Sequence, residues 1–511
     1  MKKLLFLLTI IICSCSSIQQ QNAQLNDMIA VEKLQSDVDF THKKLQKLQS
    51  KLYWYISENQ LDYKFDSLKK TITKPLTSFE FYKKISPVVC AVRQGHLYIL
   101  PKTKQLTKKE AKALTKKGVG PFSQFEFEIF NDKMFVVKNK SYNKNIKVGS
   151  EVISVNKHKI NDLLNQYKNY FTSDGFNTTF KKNRLAKSFS NFYTNENGVL
   201  DSLVYQFKLN DSIQNLVILR QIIDSSSLKN KKIIVSKAEK KLKNKKNKLF
   251  GYDAATRLYM RNLHFLEKDS SIAIIKINGF KNGNYEKCYD EFFKKIKKFN
   301  SKTLILDLRN NGGGRLNEIA NLYSFLADTT FVFVDKSEIK SKTSLLHADY
   351  FKGSSLLTFP IKLIIAPFYY SYILLKSRKY PDGKYYYSNN TKPKKIDKNA
   401  FKGKVYVLIN GGSFSASSII SSNLKGSKRA AFVGEETGGA FNGTVAGRMP
   451  LIELPNSKLK IRIGLMACIP FHKTNTEGRG IFPDQTIIPT LQDRIDNIDP
   501  EMNWVLDDLK K

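Results

Sequence analysis

Residues 304–314 read LILDLRNNGGG and residues 405–418 read VYVLINGGSFSASS. Each stretch opens as a nearly unbroken apolar run of strand length and closes in glycines. An apolar run of that length, without alternation, is the pattern of a strand buried on both faces. Such strands belong to a parallel sheet covered by helices, so the core is expected to be α/β. Working outward, Ser271–Ile277 reads as a further strand and Tyr285–Phe299 as a helix. Thr303–Leu308 and Lys404–Ile409 read as the strands that lead into the two glycine turns.

Glycine after a buried strand lets backbone N–H groups approach a bound oxygen closely. A phosphate loop would close on Gly-Lys-Ser/Thr, whereas Gly314 is followed by Arg315 and Leu316, which argues against nucleotide binding. In the second turn Ser415 falls between a strand and a helix. There the helix N-terminus offers free N–H groups and positive potential to a developing oxyanion. An isolated serine run would read as a helix cap. The two turns together favour a nucleophile at Ser415, with Ser413, Ser417 and Ser418 as alternatives.

Two further motifs follow in order: Gly434-Glu435-Glu436-Thr437-Gly438-Gly439, then Gly480-Ile481-Phe482-Pro483-Asp484. The four motifs, over about 250–490, resemble the core of the C-terminal processing (tail-specific) and tricorn-core serine peptidases. The resemblance implies a crotonase-like core, peptide-bond hydrolysis at Ser415, and oxyanion donors in the backbone N–H groups of Gly312, Gly313 and Ala416. It implies no metal and no organic cofactor. Many members carry a lysine base in a Phe-Gly-Lys-Gly turn about twenty-five residues after the serine. Here that turn is Gly438-Gly439-Ala440-Phe441, and the lysine position is Ala440. Lys425, at the far end of the helix after Ser415, is expected to face solvent.

The tricorn-like branch uses a histidine from the N-terminal helical region and a glutamate near the C-terminus. Arg93-Gln94-Gly95-His96-Leu97-Tyr98 matches the first and makes His96 the base; Thr476-Glu477-Gly478-Arg479-Gly480 matches the second and makes Glu477 the supporting carboxylate. His472, close to Glu477 in sequence, is the alternative base. A histidine base implies activity that depends on a group in the histidine range.

Upstream of the core, residues 27–118 read as helical: Leu45, Leu48 and Leu52 recur at helix spacing, and Thr77 with Glu80 is a capping box. Residues 119–227 change to short strands. Their stretch 146–156, IKVGSEVISVN, followed by an amphipathic segment at 159–170, resembles a PDZ-like domain. The usual Gly-Leu-Gly-Phe loop is missing; its nearest counterpart is Gly118–Phe122. The peptidase core is assigned to 228–499, beginning with a Lys-rich connection, and 500–511 to a C-terminal helix. Within the core, 336–400 is an insertion. Its apolar run Leu356–Leu375 is interrupted by Pro360, Lys362 and Pro367, so it reads as a packed loop and not a transmembrane helix; a membrane-facing or substrate-facing lid is the alternative.

The N-terminus reads as a signal peptide, residues 1–15: Lys2 and Lys3, the short run Leu4–Ile12, then Ser14-Cys15. Ile12-Cys13-Ser14-Cys15 resembles a bacterial lipobox, which makes Cys15 the lipidation site, with Cys13 as the alternative, and 16–26 a polar tether. The expected location is the bacterial cell envelope, lipid-anchored to a membrane, the outer membrane first, facing periplasm or exterior. The net charge of +40 comes from scattered lysines. No zinc-finger or RNA-recognition motif accompanies it, so no nucleic-acid partner is expected. Cys90, Cys288 and Cys468 are too widely spaced for a disulfide framework or a metal site and read as small buried hydrophobes. The partners expected are protein or peptide substrates. Two rival readings are a catalytically silent envelope lipoprotein that keeps the fold to bind peptides, and a surface lipoprotein that binds anionic polymers through its charge.

Overall fold

The structure is a computed structural model that describes residues 18–222, 236–266, 269–388 and 391–511. The signal-peptide and Cys15 readings lie outside the described residues. The architecture is mixed α/β, with several sheets and helices distributed along the chain.

The two decisive stretches are neighbours in a six-stranded sheet. Its order is Arg261–Leu266, Asp269–Ile277, Thr303–Asp307, Lys404–Ile409, Ala431–Gly434 and Gln485–Thr486. Only the first pair is antiparallel; the other four are parallel. Thr303–Asp307 is buried at every position, as an unbroken apolar run requires. Tyr285–Lys298 packs on one face through Cys288, Tyr289, Phe292, Phe293 and Ile296, a helical stripe capped by Asn284, which accepts from the Lys287 N–H at 3.1 Å. Leu316–Ser324 and Ala416–Gly426 complete that side. The C-terminal helix Pro500–Asp508 covers the other, where Val505 packs with Ile305 and Tyr406.

Three N-terminal helices, Val31–Leu48, Glu58–Lys70 and Ser78–Cys90, form their own layer. The Thr77–Glu80 capping box is present, the Thr77 side chain accepting from the Glu80 N–H at 3.2 Å. Buried Asp37 ties this layer to the core by accepting from the backbone N–H groups of Asn456 and Ser457 at 3.0 and 2.7 Å. A three-stranded sheet continues the join, pairing Tyr98–Leu100 with Lys460–Arg462 and that with Leu451–Glu453. Next in the chain is a β-rich unit. Its antiparallel sheet runs in the order Phe125–Phe130, Lys133–Asn139, Glu151–Val155, Ser202–Leu209, Ser212–Leu219, with helices Ile160–Tyr167 and Thr179–Asn197 against it.

The insertion differs from the packed loop expected. Strands Ser337–Ile339 and Ser377–Lys379 both pair with Tyr385–Tyr387, and between them stands one α-helix, Thr358–Lys376, after a short 3-10 turn at Ser344–His347. Pro360 lies in the first turn, where no N–H is needed, and Pro367 is accommodated inside the helix. The three cysteines are free and buried, and burial pushes the thiols of Cys90 and Cys288 up to about 12.

The first glycine turn is locked to the C-terminal helix by Arg309. Its guanidinium reaches both Asp499 oxygens at 2.7 and 2.8 Å, Asp307 at 2.9 Å and Glu501 at 3.1 Å. Asp307 and Glu501 are almost fully buried. Arg309→Ala leaves those carboxylates without their shared cation and is expected to lower the unfolding free energy by roughly 3–5 kcal/mol. An unchanged urea midpoint would remove Arg309 from this role.

Candidate active site

Because Thr303–Asp307 and Lys404–Ile409 are adjacent and parallel, their following turns emerge side by side at one edge of the sheet. The turns are stitched together. The Phe414 N–H donates to the Asn311 carbonyl at 3.0 Å. The hydroxyls of Ser413 and Ser417 donate to the carbonyls of Leu308 and Asn311, both at 2.8 Å. Gly313 has φ +98°, and a Cβ there would sit 2.7 Å from the Ser415 Cβ and 2.8 Å from the Ala416 nitrogen. Only glycine permits that approach.

Ser415 occupies the strand-to-helix corner with φ 58° and ψ −118°, a strained backbone for a residue with a Cβ. The strain lifts the hydroxyl out of the turn, and Ser415 is partly exposed while its neighbours Phe414 and Ala416 are buried. Ser413, Ser417 and Ser418 all spend their hydroxyls on backbone carbonyls. The Ser415 Oγ instead meets His96 Nε2 at 2.9 Å, across 319 residues of chain.

His96 is held by its own turn. The preceding helix Ser78–Cys90 ends, Arg93 turns with φ 56°, and the Leu97 N–H returns to the Gln94 carbonyl at 2.8 Å. Gln94 is buried and donates to the Lys51 carbonyl at 2.7 Å. From the other side, Asp174 Oδ1 accepts from the Gly95 N–H at 2.8 Å and the Gly175 N–H donates to the Arg93 carbonyl at 2.8 Å. Phe414 packs at 5.0 Å from the imidazole, and a Cβ at Gly95 would clash with that ring at 2.6 Å.

His96 and Ser415 line one cavity of about 460 Å³, together with Tyr98, Phe171, Arg184 and Arg462. Arg462 donates to the Tyr98 hydroxyl at 3.1 Å. Desolvation first, then the positive charges of Arg462 and Arg184, push the His96 pKa down to about 3. The ordinary histidine range expected from the sequence is therefore shifted far to the acid side, and the ring is neutral and able to accept a proton at every physiological pH. Burial raises the Asp174 carboxyl to about 6.

The other candidate residues lie apart from this pair. Glu477 is exposed and does not contact His96: its two oxygens accept from Trp54 Nε1 at 3.2 Å and Asn442 Nδ2 at 3.0 Å. His472 belongs to the far end of the helix after Ser415, its backbone N–H on Asn423 Oδ1 at 3.2 Å. Asn423 is eight residues from Ser415, about 12 Å along a helix. Lys425 lies further still and pairs with Asp484. Ala440 is buried. Of the three oxyanion-donor positions, Ala416 is the first residue of its helix and Gly312 has open space beside it. The Gly313 N–H already donates to Asn311 Oδ1 at 2.9 Å. Sequence reasoning missed Asp174, Arg184 and Arg462. The one local signal was Asp174-Gly175, a turn dipeptide, which says nothing of the partner it meets.

Residues 271–487 match Peptidase family S41. No curated protein matches this chain. Among solved structures, mature CPAF complexed with lactacystin is 14% identical, covering 94% of this chain and 98% of that one with a TM-score of 0.58. Mature CPAF alone is 14% identical over 91% and 94% with a TM-score of 0.54. The photosystem II D1 C-terminal processing protease is 13% identical over 89% and 92%, TM-score 0.42. At these identities the CPAF likeness shows the fold. The chain carries a peptidase family S41 domain, and it is a serine-type peptidase.

The electrostatic account makes a measurable claim. In NMR titration of histidine-labelled protein, His96 is expected to stay neutral down to pH 5. Arg462→Gln removes one facing cation and is expected to raise the His96 pKa by roughly one unit. A His96 that protonates above pH 5, or one indifferent to Arg462, would contradict this account.

Proposed function

We propose that this chain hydrolyses protein or peptide substrates through an acyl-enzyme on Ser415, with His96 as the base. The 2.9 Å contact between His96 Nε2 and Ser415 Oγ, at the head of the Ala416–Gly426 helix, carries the reading. The neutral imidazole takes the serine proton as Oγ attacks the scissile carbonyl, then returns it to the leaving amine. The oxyanion is received by the Ala416 N–H and the Gly312 side of the first turn. A cationic His96 alone is strongly disfavoured in this site. It forms together with the oxyanion, so the ion pair is what the pocket stabilises. Asp174 acts through the Gly95 N–H as a positioning residue, and Glu477 steadies Trp54 and Asn442.

The finer parts of the proposal rest on sequence. They are a crotonase-like core, a PDZ-like character for the β-rich unit, and an envelope location through a lipid on Cys15. A silent binding protein has no use for a strained serine aligned on a neutral histidine, and that alignment favours catalysis.

Fluorophosphonate labelling tests the assignment. Wild type is expected to label at one site, and Ser415→Ala to lose both the label and casein turnover while keeping its melting temperature. His96→Ala should cost roughly a hundredfold to ten-thousandfold in kcat, and His472→Ala should cost nothing. Full turnover by Ser415→Ala would end the proposal.

A further inference from the structure

The helix Thr358–Lys376 buries only Ala366 and Ile373. Leu357 is 84% exposed, Ile364 72%, Phe368 76% and Leu375 70%, with Phe359, Ile361, Leu363 and Ile365 also open to solvent. A contiguous apolar surface of this extent is far from the scattered single hydrophobes that cover ordinary surfaces.

Charge says what covers it. From residue 350 to residue 381 the chain contains no Asp or Glu, and its charged residues are Lys352, Lys362, Lys376, Arg378 and Lys379. Apolar residues rimmed by cations match one kind of surface, hydrocarbon beneath anionic headgroups. A second copy of this chain would bring the same cations against each other, on molecules that each carry +40.

The helix is about 28 Å long, enough to cross a bilayer, but its connections forbid it. Strands Ser337–Ile339 and Ser377–Lys379 flank one strand of one sheet, so both ends return to the same side. The incoming chain folds back along the helix. Tyr350 stacks on Tyr369 at 4.1 Å, and the Lys362 ammonium donates to the carbonyls of Tyr350 and Lys352 at 3.0 and 3.2 Å. The same Tyr369 fastens the helix to the body by accepting from Arg448. We infer that Thr358–Lys376 is an interfacial helix that lies in the plane of an anionic membrane and docks the protein there independently of any lipid on Cys15. Met449, next to the Arg448 anchor, lines the cavity that holds Ser415, so docking brings the cleft close to the headgroup layer.

The test uses the full chain with Cys13→Ser and Cys15→Ser, so that no acyl group contributes. In this background the protein is expected to co-sediment with vesicles containing phosphatidylglycerol, less so with phosphatidylcholine alone, and less at high salt. The further pair Ile364→Glu and Phe368→Glu, both at exposed positions, is expected to weaken binding by about tenfold or more with fluorophosphonate labelling and melting temperature unchanged. Equal vesicle binding by the Glu pair, or no binding by either protein, overturns the inference. So does a dimer in sedimentation velocity that the Glu pair disperses without any vesicle binding, which would make the face a contact between copies. Loss of peptidase activity on Ser415→Ala leaves this result untouched, so the two readings fail separately.

Discussion

One hydrogen bond, between Ser415 and His96, sets the demands that the rest of the molecule meets. Its two ends are 319 residues apart and belong to different layers. The serine end is built by the central sheet: two buried parallel strands fix the turns side by side, and the bare backbone of Gly313 lets them touch. The histidine end depends on a turn clamped by Gln94 from the helical layer and Asp174 from the β-rich unit. A displacement of an ångström at any of these joins would break the contact, which explains why the joins are buried and polar. Asp37 on the Ser457 backbone and the strand pair Tyr98–Arg462 are parts of the same alignment.

The same packing determines the chemistry of the base. A desolvated histidine packed against Phe414 and facing Arg184 and Arg462 cannot easily become a cation. It is therefore always in the form that accepts a proton, but a weak acceptor until negative charge develops beside it. In the proposed mechanism, catalysis leans on the oxyanion and on substrate placement more than on basicity. This is a different solution from a lysine base, which would have to be desolvated to be neutral, and it agrees with a buried alanine at position 440.

The α/β core, its strand order of introduction and the serine were legible because buried strands and glycine turns write themselves locally: an apolar run of five or six residues and a glycine at a forced φ need no distant partner to be recognised. The capping box at Thr77 was legible for the same reason. His96 came through a motif, and distant segments bring its imidazole to Ser415. What the sequence by itself determined, then, was the set of short-range preferences and the residues able to do chemistry. Tertiary structure alone decided which of them meet: that Asp174 clamps the histidine turn, that burial and then two arginines depress the imidazole, that Glu477 turns to Trp54 and Asn442, and that the apolar stretch in the insertion is an exposed helix and not a packed loop. Those outcomes depend on contacts between segments hundreds of residues apart, and on burial, which is a property of the folded surface and not of any stretch of chain.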